Sequence, residues 1–371
     1  MTDQTLQPAD ESEVAEILRE GAQPLEVVGG GSRRDIGRPV GARSLVLARL
    51  SGILDYQPQE LVLTARAATP LSQVNAALAR EGQRLAFEPP EGGIGGAAAA
   101  PTLGGIIASN WSGSRRLSAG AARDHFLGFR AVNGRGERFA GGARVVKNVT
   151  GYDVPKLLAG SWGTLAVLTE VCVRVMPAAE HECTLLLPYT MPAAAVELCA
   201  RALGSVYEVS AAAVLPARGV ALRLEGLGES VRTRTAGLLS HLRPSGHALL
   251  AGEDSRQLWR ATGAAHDLAD LPVIWRLSVA PTEAPRLIEQ LSPRRFLLDW
   301  AGGLMWLGFE DVDEARVRGA LAGGHATLVR APPEARRGCA SFQPPGALAA
   351  AVAALKCAFD PRGLLNPGRM D

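Results

Sequence analysis

Val167, Thr169, Val171, Val173 and Val175 alternate with Leu168, Glu170, Cys172 and Arg174. This period of two, rich in β-branched residues, predicts a half-buried strand. Shorter apolar runs predict strands at 25–28, 44–50 and 60–66. Segments 127–132 and 137–140 flank Asn133-Gly134 and read as a hairpin. Helical signals are interspersed. Asp10 opens one helix, with Glu13 as its capping-box partner and Gly21 as its stop. Thr69 is expected to cap a second, with Pro70 at its first position, an apolar face of Leu71, Val74 and Leu78, and an end at Gly82.

Beyond Pro177 the pattern changes. A strand at 183–188, a helix from Pro192, strands at 207–215 and 220–225 and a helix at 229–242 form one unit. A strand at 273–279, a helix at 282–291, a hairpin over 296–309, a helix at 312–321 and a strand at 326–330 partly repeat it. Two strand–helix–strand–strand units predict an antiparallel sheet with helices on one face. The fold class is therefore α+β. The expected organisation is a first domain at 1–177, an α+β cap at 178–331, and a C-terminal helix and tail at 332–371 returning to the first domain. The tail, Asp360-Pro361-Arg362-Gly363-Leu364-Leu365-Asn366-Pro367-Gly368, has the Pro/Gly density of a fixed turn.

Candidate chemistry lies in the glycine turns. Gly29, Gly30, Gly31 and Ser32 follow a strand, and their amides can converge on phosphate oxygens, although a tight turn explains them equally. Thr102-Leu103-Gly104-Gly105 reads as a helix entry with bare backbone, or as a helix packed closely through its glycines. Asp124 either accepts from a cofactor hydroxyl or caps a turn. Asn148, Tyr152 and Asp153 fall in one loop, and Gly160-Ser161-Trp162-Gly163-Thr164-Leu165 opens into the alternating strand. There is no GxxxxGK[ST]. The formal G-x-G-x-x-A of 93–98 follows Pro89-Pro90 where a strand should lie, so a Rossmann site is excluded.

Composition narrows the classes. With 371 residues, a net charge of +2 and no Lys/Arg run, nothing marks a nucleic-acid footprint. The polar, acidic N-terminus is not a secretory signal, and no apolar run is long enough to span a membrane, so a cytoplasmic location is expected. The five cysteines form no CxxC pair and fit no zinc or iron–sulfur spacing. Any electrons handled here would not pass through a cluster of the chain's own. The six histidines (His125, His181, His241, His247, His266 and His325) make no H-x-H or HExxH element, so no metal site is expected.

The order Thr102-Leu-Gly-Gly, Gly120, Asp124, Lys147-Asn-Val-Thr-Gly-Tyr-Asp and Gly160-Ser-Trp-Gly-Thr-Leu resembles the FAD domain of the vanillyl-alcohol oxidase/PCMH flavoprotein superfamily. The closing Phe359-Asp-Pro-Arg-Gly-Leu-Leu-Asn-Pro-Gly368 is similar to that family's C-terminal signature. The whole chain, with Trp275-Arg276-Leu277-Ser278, resembles the FAD-binding E subunits of bacterial glycolate oxidase (glycolate dehydrogenase). The resemblance implies a PCMH-type FAD-binding domain. Gly29, Gly30, Gly31 and Ser32 would form its first pyrophosphate loop, and Thr102, Gly104 and Gly105 its second. Ser109, Asn110 and Asp124 would lie in the flanking stretch, and Gly160, Thr164 and Val167 further along the cofactor. Residues 29–34 hold no His or Cys, which implies non-covalent FAD. The implied partners are a second FAD subunit and an iron–sulfur subunit of the same complex, through which membrane association would arise. The resemblance also implies a histidine cluster in catalytic relatives, which this chain lacks.

A 2-hydroxy acid needs a cation for its carboxylate, and Arg offers two parallel hydrogen bonds. Arg276 and Arg330, both on predicted strands, are the candidates, with His325 as general base. A salt bridge on a solvated sheet face is the commoner role of a strand arginine. Trp300 and Trp306 read as cap packing or a subunit contact. Three functions follow: a subunit oxidising glycolate or a similar acid with FAD, a non-catalytic assembly or electron-relay subunit, or a self-sufficient FAD alcohol or sugar oxidase.

Overall fold

Two sheets and the seam between them organise the chain; the computed structural model describes residues 5–93, 99–142 and 152–370. The first is a five-stranded antiparallel sheet in the order Ile53–Gln57, Val62–Arg66, Ala166–Arg174, Phe126–Asn133, Arg138–Gly142. Its central strand Ala166–Arg174 is buried on both faces, with only Glu170 and Arg174 partly open. That corrects the half-buried expectation. One face carries Leu168, Val171 and Val173 against helices Leu71–Arg80 and Leu103–Ser109. The other carries Val167 against Val14 and Leu18 of helix Glu11–Glu20. Thr169 is a buried polar residue of that second face, and its hydroxyl donates to Glu11 at 3.1 Å. Each apolar side chain so buried stabilises the fold by about 1.5–3 kcal/mol.

Caps follow the sequence with two differences. Asp10 accepts from the N–H groups of Ser12 and Glu13 as expected, but Glu13 accepts from Ala9 rather than from Asp10. Pro70 takes the N-cap position of helix Leu71–Arg80. The Thr69 hydroxyl instead accepts from Gly52 N and donates toward Arg66 O and Gly52 O.

The second sheet has eight antiparallel strands in the order Ala248–Ala251, His181–Leu187, Gly219–Gly226, Ala211–Leu215, Arg295–Asp299, Leu304–Phe309, Val273–Ser278, His325–Arg330. The two predicted units meet at the single pairing Val214↔Leu298. Helices Pro192–Leu203, Gly228–Leu242, Ala284–Leu291 and Glu314–Gly319 cover one face. The opposite face lies on the first unit, and one apolar cluster runs across the seam from Leu63 and Trp111 to Ile274, Trp306 and Val329. Strand Ala248–Ala251 and helix Gly252–Gly263 were not legible in the sequence; Leu258 and Trp259 of that helix join the seam.

The tail returns to the first unit. Leu25 N donates to Leu364 O at 2.7 Å, and Val27 N to the Asn366 side chain at 2.8 Å. Asn366 donates in turn to Trp162 O at 2.8 Å, so the C-terminus closes the glycine region.

Candidate functional site

Between strand Leu25–Val28, helix Leu103–Ser109 and the Trp162-Gly163 turn lies an open cleft of about 780 Å³, solvent at its mouth included. Gly29, Gly30, Gly31, Ser32, Thr102, Gly104, Gly105 and Ser109 all stand in its wall, with Asn366 and Arg369 from the tail. The glycines have separate reasons. A Cβ on Gly30 would sit 1.8 Å from Ala100 O, and one on Gly104 2.6 Å from the Ala67 Cβ, so these two allow backbones to approach each other. Gly31, at φ +77°, has nothing within 4 Å of its Cβ position, and Gly105 only the Thr102 hydroxyl at 3.1 Å. Gly31 and Gly105 therefore leave space that a side chain would fill. No backbone carbonyl among the described residues accepts from the N–H of Gly29, Gly30 or Gly31. Bare amides of this kind suit an anion.

The other expected residues lie outside that wall. Asn110 is the left-handed C-cap of helix Leu103–Ser109 and accepts from Arg123 N at 3.0 Å. Asp124 accepts from Ala121 N at 2.8 Å, which makes it a turn cap. Gly160 and Thr164 shape the turn before the strand, where the Thr164 hydroxyl donates to Ser161 O at 2.7 Å. Val167 faces the opposite core, and its neighbours Ala166 and Leu168 line the cleft. Asn148 lies outside the described residues; Asp153 caps helix Val154–Leu158 and Tyr152 is exposed.

Where the cleft meets the seam, cations gather without direct ion pairs among the described residues. Arg33, from the glycine loop, is 8% exposed and lies 5.2 Å from the Trp111 ring centroid. Its Nε and Nη2 have no partner, and burial pushes its guanidinium down to about 9. Arg276 approaches the same indole at 4.9 Å, with Trp300 at 5.2 Å and Trp306 at 5.7 Å. Cross-strand register explains the cage, since Arg276 pairs with Trp306 on one side and Thr327 on the other. Its Nε is enclosed and unpartnered; burial, then Arg116, push its guanidinium down to about 10, against a smaller opposing pull from Asp299. Arg116 itself lies over Trp300 at 4.6 Å. No ion pair among the described residues neutralises Arg33, Arg116 or Arg276, so the salt-bridge role considered for Arg276 is not what it performs.

His325 starts the neighbouring strand, opposite Ser278. Its side chain is open to solvent, and partial desolvation, then Arg276 and Arg116, shift its imidazole below the ordinary value. Arg330 donates to Ala269 O at 2.6 Å at the strand's other end, away from Arg276. Trp300 and Trp306 face the first unit rather than filling the cap interior. The turn Trp300–Gly302 holds Trp300 and Ala301 at positive φ, and the Trp300 Nε1 donates to Gly113 O at 3.0 Å across the seam. Strain of this kind is kept where it places a side chain. Asp299, before the turn, accepts from Ser114 at 2.7 Å, and burial pushes its carboxyl up to about 6.

Elsewhere on the seam charges are matched. Arg223, fully buried, forks onto both Glu88 oxygens at 2.7 and 2.9 Å. Arg115 reaches Glu88, Glu182 and Glu225, and Arg84 also pairs with Glu225. Arg84, Glu88 and Arg115 come from the first unit; Glu182, Arg223 and Glu225 come from the second. This network was not read from the sequence, because its members are far apart in the chain and carry no motif.

Residues 2–141 match the FAD binding domain family. Over 359 residues the chain is 35% identical to the glycolate oxidase subunit GlcE of Escherichia coli (strain K12), covering 94% of this chain and 92% of that protein. The chain belongs to this family of FAD-linked oxidoreductases. Longer relatives include the glycolate oxidase subunit GlcD of Bacillus subtilis (strain 168), 29% identical over 58% of this chain and 44% of its own length. A D-lactate dehydrogenase of Archaeoglobus fulgidus is 32% identical over 50% of this chain and 41% of its length. An alkyldihydroxyacetonephosphate synthase structure matches the fold with a TM-score of 0.65 at 16% identity, over 97% of this chain and 75% of that one.

As a member of this PCMH-type family the chain is an FAD-dependent oxidoreductase subunit. The open positions at Gly31 and Gly105 and the free amides fit a large anionic cofactor. No His or Cys lines the cleft among the described residues. Among the described residues no helix is long and apolar enough to cross a membrane, and no His/Cys/Asp/Glu group could hold a metal.

Proposed function

We propose that this chain oxidises glycolate or a similar short 2-hydroxy acid to the 2-oxo acid, and that the electrons leave through partner subunits, one of them carrying an iron–sulfur cluster. The amides of Gly29, Gly30 and Gly31 would hold the FAD diphosphate, with Ser32, Thr102, Gly104, Gly105, Ser109 and Asn366 around it. Asn110, Asp124, Gly160, Thr164 and Val167 would support the cleft from behind. Bound FAD supplies the two-electron chemistry. Arg276 would take the substrate carboxylate, and His325 the hydroxyl proton. Arg330 remains a weaker candidate, because a backbone carbonyl already engages it.

One observation carries this reading: Arg276 is a caged guanidinium on the seam beside the cleft, with no direct ion pair among the described residues and only Asp299 acting on it from a distance. An uncompensated buried cation is expensive unless a ligand neutralises it. Relatives named as a glycolate oxidase subunit and a D-lactate dehydrogenase support the acid class, and names such as GlcE and GlcD support a complex of several subunits.

A second reading has its own observation. Trp111, 4% exposed, stands between Arg276 and the cleft, as it would in a relay subunit that never meets substrate. The visible spectrum of the FAD-saturated chain, recorded without oxygen before and after adding glycolate, separates the two. Bleaching is the expected result; a flavin that stays oxidised would contradict it and favour the relay.

A further inference from the structure

Three arginines line the cleft, and two of them are neutralised. Arg34 forks onto Glu26, and Arg369 lies 3.7 Å from the same carboxylate while donating to Arg33 O at 2.9 Å. Arg33 has no such partner. Its only side-chain hydrogen bond among the described residues goes to the Ser32 hydroxyl, at 3.0 Å. The side chain leaves the glycine loop and rests on Trp111, the residue that also touches Arg276 and, at 6.1 Å, Trp306. Arg33 thus shares Trp111 with Arg276 at the end of the cleft that adjoins the seam.

We propose that Arg33 compensates the negative charge that FAD acquires on reduction, and so sets the potential of the bound flavin. The placement of the redox-active end beside Arg276 rests on the function proposed above. The charge balance is simple. Oxidising a 2-hydroxy acid breaks its Cα–H and O–H bonds and forms the C=O bond. Two electrons and the Cα proton pass to FAD, which gains one negative charge, and the hydroxyl proton leaves to His325 or solvent. A preorganised cation aimed at developing charge stabilises the charged state without having to reorganise. Burial strengthens that effect, since the guanidinium is desolvated before the anion forms. Charge near the flavin ring is a recognised means of tuning its electronics.

The test needs no substrate. FAD-loaded wild type, Arg33→Gln and Arg33→Lys are titrated with a chemical reductant against a reference dye, and the affinity of each apoprotein for oxidised FAD is measured. Arg33→Gln is expected to weaken binding of reduced FAD at least tenfold more than that of oxidised FAD. That lowers the midpoint potential by about 30 mV or more for a two-electron couple. Arg33→Lys should retain most of the wild-type potential. Equal loss of affinity for both redox states would overturn the proposal and make Arg33 a diphosphate ligand, and so would an unchanged potential. Should the glutamine variant not fold, wild type still decides: the pH at which its potential changes from two protons to one per two electrons should lie below that of free FAD, and an equal or higher pH would overturn the proposal. Failure of glycolate to bleach the flavin would sink the substrate reading but leave these outcomes untouched.

Discussion

The seam between the two sheets has two charged regions that differ in one respect. Around Arg223, three arginines meet three glutamates, and each unit contributes a charge pattern complementary to the other's. Around Trp111 and Trp300, Arg33, Arg116 and Arg276 meet indoles and form no direct ion pair among the described residues, with Asp299 and Asp124 acting on Arg276 and Arg116 only from a distance. The paired region fixes how the cap sits. In the function proposed above, the unpaired region's positive charge serves ligands. Burial alone does not distinguish them, since Arg223 and Arg33 are both enclosed; the presence of counter-charge does.

Breaking the paired region should have the largest effect. Arg223→Met leaves Glu88 and Glu225 buried with less compensation and should destabilise the protein by about 3–5 kcal/mol in urea unfolding. Adding Glu88→Gln and Glu225→Gln should recover much of that loss, and a single variant as stable as wild type would dissolve the comparison. Next in size is Gly105→Trp. Only the Thr102 hydroxyl crowds its Cβ position, so the apoprotein should keep its stability within about 1 kcal/mol while losing FAD. Full flavin content in that variant would sink the cleft as the FAD site.

Acid should release the paired region. Burial raises the Glu88 and Glu225 carboxyls, but Arg223 and Arg115 outweigh it and hold both below their usual 4.5. Their stabilisation is present above that value and is lost as pH falls through the lower folded-state values. Arg223→Met should show a weaker acid dependence of stability, and an unaltered one would count against the pairing. Asp299 has the opposite sign. Its carboxyl is raised from 3.8 to about 6, so its contribution is lost as pH rises across that interval. Asp299→Asn should therefore gain up to about 3 kcal/mol above pH ~6 and nothing below pH ~4 in thermal unfolding. No difference between the two pH ranges would remove Asp299 from the account.

Periodicity and turn chemistry carried most of the fold into the sequence. The strand at Leu25–Val28, the Asn133-Gly134 hairpin and the repeated cap units are local, and local patterns declare themselves. What covers a strand is not local. The alternation at 167–175 predicted one exposed face, and only helix Glu11–Glu20, about 150 residues earlier by chain position, buries it. The cleft followed the same division. Its glycine wall was legible because a bare backbone leaves glycines in sequence, whereas Val167 was assigned to the cofactor side and faces the other core. Arg276 was singled out, but its cage was not, since Trp111, Trp300 and Trp306 meet only through register and the seam. Arg33 lay unremarked inside the glycine loop; an arginine following three glycines was the available signal.

The most direct test compares thermal unfolding of FAD-loaded wild type and Arg276→Met, each with and without glycolate in the absence of oxygen. If Arg276 is held in reserve for the substrate carboxylate, the variant without acid should be at least as stable as wild type, and glycolate should raise the wild-type Tm alone. A variant that is clearly destabilised, yet still stabilised by glycolate, would contradict the account and return Arg276 to a structural role.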